Sequence, residues 1–172
     1  MKSVLISIQP KWCELIASGK KTIEVRKTKP KLETPFKVYI YCTKNTFDIR
    51  YSDSAKDWQK NACGKVIGEF VCDVINPIYS QSVEKQALCA IAIGNGDKEY
   101  YENSCVSYKE AYRYFKNAKM GYAWHISNLV IYDKPKELNN FCKPTLPTFL
   151  RYEDDVIKRP PQSWCYVEGV EG

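Results

Sequence analysis

Val4, Ile6 and Ile8 alternate with Leu5 and Ser7 at the start of the chain, which predicts a short, largely buried strand. Pro10 suits the first turn of a helix, where its missing N–H costs nothing, and Trp12, Leu15, Ile16 and Gly19 follow at helical spacing with Lys11, Glu14 and Ser18 outward. Gly19 is placed to end this helix in the left-handed conformation. A second strand follows over Thr22–Lys27, with Ile23 and Val25 on one face and Thr22, Glu24 and Arg26 on the other. After a turn bracketed by Pro30 and Pro35, Phe36–Cys42 reads as a β-branched and aromatic strand. The polar stretch from Thr43 to Ala62 predicts a loop with at most a short helix at 55–59. Gly64–Ile75 gives the longest strand pattern, Val83–Ile91 and Ser107–Lys116 turn helical, and Gly121–Tyr132 returns to strand. The helix over 107–116 is expected to bury Tyr108, Ala111, Tyr112 and Phe115. Ser163–Val167 closes the chain as a last short strand.

Five or six strands at irregular intervals with two or three helices depart from strict βαβ alternation. The expected class is α+β: a small, mostly antiparallel β-barrel or strongly curved sheet, flanked by two or three helices. Residues 1–172 are expected to form one domain, a length at which roughly two-thirds of the unfolded chain's surface can be buried. The stretch 133–161 contains Pro135, Pro144, Pro147, Pro160 and Pro161, yet Leu138, Phe141, Phe149 and Tyr152 predict that it packs on the body.

Charge adds a location to this outline. The chain carries 26 Lys plus Arg against 20 Asp plus Glu, a net +6. Nine of the basic and three of the acidic side chains fall in residues 1–40, leaving seventeen of each sign for the rest. The whole excess sits in the first quarter, which points to an anionic partner beside the simpler reading of a solvated lysine-rich surface. The eight cysteines include no CxxC pair and the chain has one histidine, His125, which excludes a zinc site of the usual local spacing. The N-terminal apolar run ends at Gln9-Pro10, short of a signal h-region or a membrane span, so the expected location is a reducing cytoplasm with most thiols as small apolar fillers. No metal, cofactor or membrane partner is expected.

The sharpest constellation is Gly19-Lys20-Lys21-Thr22-Ile23-Glu24-Val25-Arg26. A glycine ends a helix, the turn presents Lys21, and the next strand points Glu24 and Arg26 to one side. Two cations there can hold phosphate or polarise a carbonyl, while the carboxylate can orient a donor on a base or take a proton. The alternative is an ordinary Glu24–Arg26 pair on an exposed strand face.

GKKTIEVR resembles the G-x-K-x-x-E-x-R signature of the ASCH (activating signal cointegrator homology) domain, a branch of the PUA-like superfamily. GKVIGEF, GYAWHISNLVIYDKP and RPPQSWCYVE resemble ASCH proteins of bacteriophages and prophages of Gram-positive bacteria, so the likeness covers the whole chain. The resemblance implies a PUA-like β-barrel whose cleft, shaped at Gly19 and lined by Lys21, Glu24 and Arg26, binds RNA or a modified nucleotide-like ligand. Some relatives are hydrolases, which makes Lys21 and Glu24 the catalytic pair if this chain is an enzyme. In an amidohydrolase relative that deacylates cytidine, a threonine nucleophile stands where this chain has Glu24. Thr22 shares that face, and Glu84 is the sole carboxylate in the region where that enzyme has its second one. A metal-independent hydrolase on RNA or an acylated nucleoside is therefore the alternative function, and a phage-encoded protein-interaction module is a third.

Aromatic side chains form a second constellation. Tyr122 with Trp124, and Trp164 with Tyr166, each share a strand face among polar neighbours, and aromatic planes stack unpaired bases. Trp124 and Trp164 are accordingly candidate ligand-binding residues alongside the core role that tryptophans usually fill. His125 alternates with Trp124 and is expected to be a hydrogen-bonded structural residue. Ile93–Asp97 is glycine-rich without phosphate-loop spacing and reads as a turn.

Overall fold

The strand that opens the chain, β1 (Lys2–Ile8), is buried from Ser3 onward on both faces, as its unbroken apolar run Val4-Leu5-Ile6 requires. The computed structural model describes residues 2–44, 61–79, 102–116, 118, 120–144 and 155–169. Among them the order continues α1 (Pro10–Ala17), β2 (Ile23–Arg26), β3 (Phe36–Cys42), β4 (Val66–Cys72), β5 (Ile75–Tyr79), α2 (Tyr108–Phe115), β6 (Met120–His125), β7 (Ser127–Lys136), a 3-10 turn (Leu138–Asn140) and β8 (Trp164–Glu168). The helices expected at 55–59 and 83–91, with Glu84 and the 93–97 turn, lie outside the described residues.

Two sheets result, one ordered β7-β4-β3-β1-β8 and the other β2-β6-β5. β1 runs parallel to β3, with Val4 opposite Val38, and antiparallel to β8, with Val4 opposite Tyr166. β6 runs antiparallel to both β2 and β5. Among the described residues neither sheet closes on itself, so the expected barrel is corrected to an α+β fold of mostly strands and few short helices. The physical reason lies in the two longest strand patterns. Gly64–Ile75 breaks at Asp73-Val74 and Gly121–Tyr132 breaks at Ile126, and the halves of each pair in different sheets. Periodicity of two survives such a break, so the sequence pattern reads through it.

The described chain forms two compact units: Met1–Glu14, Phe36–Val71 and Asn128–Gly172 make the first, Leu15–Pro35 and Cys72–Ser127 the second. In the first, Leu5, Tyr39, Tyr41, Val66, Phe141, Ile157 and Val167 form one apolar cluster. Phe141, in the proline-rich stretch, meets Tyr39 edge to face at 4.9 Å. Phe149 and Tyr152 lie outside the described residues. β7 carries Pro135 within it, which its position at a sheet edge allows, because no inner neighbour needs that N–H on the outer side.

In the second unit Ile23, Ile78, Ala111, Phe115 and Ala123 make the core, so α2 buries the Ala111 and Phe115 stripe read from the sequence. The helix starts in a capping box. The Glu110 backbone N–H donates to Ser107 Oγ at 3.4 Å, while Glu110 Oε2 accepts from the Ser107 backbone N–H at 3.0 Å and its hydroxyl at 2.6 Å. In α1, Cys13 and Ile16 are fully buried while Trp12 and Leu15 are half-buried, which turns the buried stripe slightly from the expected one.

Candidate functional site

Gly19 has φ +72 and its N–H bonds the Ile16 carbonyl at 2.9 Å, so the helix ends in the left-handed turn the sequence predicts. The Lys21 N–H then returns to the Leu15 carbonyl at 3.0 Å, and the chain enters β2. The turn aims the Lys21 side chain inward, not to solvent. Lys21, Glu24 and Arg26 are only 2%, 6% and 8% exposed. That excludes the ordinary exposed pair on a strand face, and it makes the row a buried charge system.

Its internal bonding is nearly complete. Lys21 Nζ donates to the Ser104 carbonyl at 2.6 Å and the Ile23 carbonyl at 2.8 Å, and lies 3.2 Å from Glu24 Oε2. An ammonium has three protons, and these three acceptors account for them. Glu24 Oε1 takes Arg26 Nη2 at 3.0 Å, so each carboxylate oxygen faces a cation. Paired in this way, the charges offset a desolvation cost that would otherwise be several kcal/mol per ion.

Antiparallel register completes the face. Glu24 stands opposite Trp124 and Arg26 opposite Tyr122. Trp124 is fully buried and backs the carboxylate from within the sheet face. Two donors here, Arg26 Nε and Trp124 Nε1, are buried without a hydrogen bond, although both residues make other contacts. Trp164 lies on β8 opposite Ile6, in the other sheet and the first unit, where it meets Tyr166 edge to face at 5.4 Å. The structure therefore brings Gly19, Lys21, Glu24, Arg26 and Trp124 together in one unit, and Trp164 is not among them.

Two contributors are absent from the sequence reading. The first is the turn at 103–105. The Asn103 carbonyl accepts the Thr22 N–H at 2.9 Å, the Ser104 carbonyl accepts Lys21, and Cys105 Sγ donates to the Lys20 carbonyl at 3.3 Å. Backbone acceptors leave no side-chain signature, and the left-handed Cys105, φ +53, is not a residue type that announces such a turn. The second is Tyr114 of α2. Burial of its hydroxyl end pushes its pKa up, with Arg26 opposing and Glu24 adding to the shift, while the residue as a whole is 40% exposed. Lys27 Nζ lies 5.1 Å from the Tyr114 ring centre and Lys29 Nζ 5.6 Å from that of Tyr122, so two aromatic faces beside the motif each carry a cation.

His125 sits opposite Ile23, off the Glu24 face, and hydrogen-bonds Asn76 Nδ2 through Nε2 at 3.2 Å. That is the structural role expected of it. Thr22 is exposed and precedes β2. Among the described residues no group of three or more His, Cys, Asp or Glu side chains is arranged to hold a metal ion, and no helix is long and apolar enough to cross a membrane.

A short α1 handing over at a left-handed glycine to a strand of alternating charge, in a two-sheet α+β frame, defines a recognisable class of small β-rich module. The ASCH domain family model matches residues 6–137, and the chain belongs to that family. Three solved structures of the ASCH protein from Zymomonas mobilis share the fold. A serine-to-alanine variant aligns with TM-score 0.60 at 16% identity over 96% of this chain and 88% of its own. A tyrosine-to-phenylalanine variant gives 0.56, 17%, 98% and 91%, and the unsubstituted protein 0.54, 19%, 96% and 87%. No curated protein is matched by the sequence. ASCH domains are a PUA-like module associated with RNA binding.

Proposed function

We propose that this chain binds RNA, or a nucleotide-like ligand, against the face of β2 and β6, with Arg26, Glu24 and the rings of Tyr114 and Tyr122 as the contacting groups. The observation that carries the reading is the buried, internally paired Lys21–Glu24–Arg26 row flanked by two aromatic faces that each hold a lysine. A fixed carboxylate beside a guanidinium presents an acceptor and a fork of donors at a set distance, which suits the edge of a base and a phosphate oxygen. The 40% exposed Tyr114 ring and the half-buried Tyr122 ring supply stacking, and the neighbouring lysines supply attraction for the backbone. Gly19 shapes the turn, Lys21 acts as a positioning residue that holds Glu24, and Trp124 is the inner wall.

Binding ranks ahead of hydrolysis because the acid–base pair that hydrolysis requires, Lys21 with Glu24, already engages itself and two backbone carbonyls. The test is titration of a fluorescent single-stranded RNA oligomer at low salt. Affinity is expected to fall steeply with added salt, and Tyr114→Ala is expected to weaken it by about 5- to 150-fold, the equivalent of ~1–3 kcal/mol per stacked base. Undetectable binding at low salt, or equal affinity of Tyr114→Ala and parent, overturns the proposal.

A further inference from the structure

Away from the motif, three thiols gather in the first unit. Cys42 ends β3, Cys13 lies in α1, and Cys63 precedes the turn into β4. Cys42 Sγ is 4.0 Å from Cys63 Sγ, and the Cys13 thiol donates to the Ile8 carbonyl at 3.5 Å. The approach of Cys63 is built into the backbone. Gly64, at φ +86, donates its N–H to the Cys42 carbonyl at 2.8 Å, and the Cys42 N–H donates to the Lys65 carbonyl at 2.9 Å. These two bonds clamp the chain immediately after Cys63 against Cys42. Exposure divides the pair unequally: Cys13 and Cys42 are buried, whereas Cys63 is half-exposed.

We propose that Cys42 and Cys63 are an oxidisable dithiol, a modification site that hydroperoxides convert to an intramolecular disulfide. The half-exposed Cys63 meets the oxidant. Its thiolate attacks one peroxide oxygen, the O–O bond breaks, Cys63 becomes a sulfenic acid, and the other oxygen leaves as water or an alcohol. The Cys42 thiolate then attacks the Cys63 sulfur, the S–S bond forms, the S–O bond breaks, and hydroxide leaves and takes up a proton. With hydrogen peroxide the balance is two thiols plus one peroxide giving one disulfide plus two waters. The sulfurs must close by about 2 Å to reach bonding distance, a movement within the reach of two χ1 rotations because the backbone is already clamped.

The Cys13 thiol draws the Cys42 pKa down, burial opposes, and the Cys63 thiol adds to the lowering. The resolving sulfur is thus the one whose thiolate is supported. Cys72 and Cys165 behave oppositely: burial pushes Cys72 up to about 12, with Asp73 adding to the shift, and burial also raises Cys165. Both stay protonated at neutral pH and serve as internal controls.

The experiment exposes fully reduced full-length protein to increasing hydrogen peroxide at neutral pH, alkylates the remaining thiols and maps peptides without reductant. The expected result is a Cys42–Cys63-linked peptide pair two hydrogens lighter than its parts and reversed by dithiothreitol. It appears at peroxide doses that leave Cys72 and Cys165 alkylatable. In Cys63→Ser, whose fold is checked by circular dichroism, the link is lost and Cys42 stays alkylatable at the same dose. The proposal is overturned if Cys63 accumulates as sulfinic acid with Cys42 unlinked, if the first link joins other cysteines, or if both thiols outlast Cys72 and Cys165. Wild-type mapping alone decides these outcomes should the serine variant fail to fold.

Discussion

Glu24 and Glu69 are each gripped by a lysine and a second donor, in opposite surroundings. Glu24 lies between Lys21 and Arg26 with all three side chains less than a tenth exposed. Glu69, on β4 in the first unit, takes Lys37 Nζ at 2.7 Å and accepts a hydrogen bond from the Tyr132 hydroxyl, but the Lys37 side chain is 40% exposed. Lys136 covers the Tyr132 ring at 4.5 Å. Water reaches the Lys37 partner of Glu69 readily, whereas it has little access to the partners of Glu24. The same bonding pattern is therefore a minor surface term in one place and a condition for folding in the other, because the cost of an orphaned charge is set by what could solvate it.

Substitution separates the two regions, and the largest effect is expected at the buried row. Lys21→Ala leaves Glu24 with one cation and takes a charged donor from two buried carbonyls, and is expected to destabilise by about 3–5 kcal/mol in urea unfolding. A loss below about 1 kcal/mol would mean that water enters this face and would end the contrast with Glu69. The triple variant Lys21→Met, Glu24→Leu, Arg26→Met is expected to regain most of that stability, since removing a whole buried ion system is often neutral, while RNA affinity stays lost. Recovery of both properties together would remove the row from the binding face.

Intermediate effects are expected at two glycines that look alike in sequence. A Cβ on Gly68 would stand 2.3 Å from the Val130 carbonyl oxygen, a backbone atom that cannot step aside, so Gly68→Ala is expected to cost about 2–4 kcal/mol. A Cβ on Gly19 would meet nothing within 4 Å, and Gly19→Ala is expected to cost only the left-handed penalty of about 1–2 kcal/mol. Thermal melts of the pair rank them, and the reverse order would contradict the packing of β4 on β7.

The smallest effects belong to Glu69. Lys37→Ala is expected to cost no more than about 1 kcal/mol. Burial pushes the Glu69 pKa up, but the hydrogen bonds from Lys37 and Tyr132 outweigh it, and the net shift is downward from 4.5. A carboxyl whose folded pKa lies below its unfolded one adds stability above the unfolded value and loses it as pH falls through the folded one. Parent stability should therefore decline below about pH 4.5, with a smaller slope in Glu69→Gln. Equal slopes in the two proteins would show that this cluster does not set the acid limb.

The motif's local geometry was legible. Gly19 ends the helix, β2 follows, and Glu24 and Arg26 share a side, each read from residue type and a period of two. Which side is covered was not legible, because alternation defines two faces without saying what packs on either. What covers Glu24 and Arg26 arrives from far along the chain: Trp124 by strand pairing, Tyr114 from α2, and Ser104, 83 positions after Lys21. The breaks at Asp73-Val74 and Ile126 leave no mark in the periodicity for the same reason. Only the choice of partner strand distinguishes one long strand from two.

By itself, then, the sequence determined what acts over a few residues: strand and helix periods, the left-handed stop at Gly19, the order of Lys21, Glu24 and Arg26, and the basic excess around them. Tertiary structure decided which charges are dry, which tyrosines flank them, and which two of the seven described thiols lie 4.0 Å apart. Propensity and capping are settled by neighbours in the chain, whereas solvation and encounter depend on what distant segments place alongside.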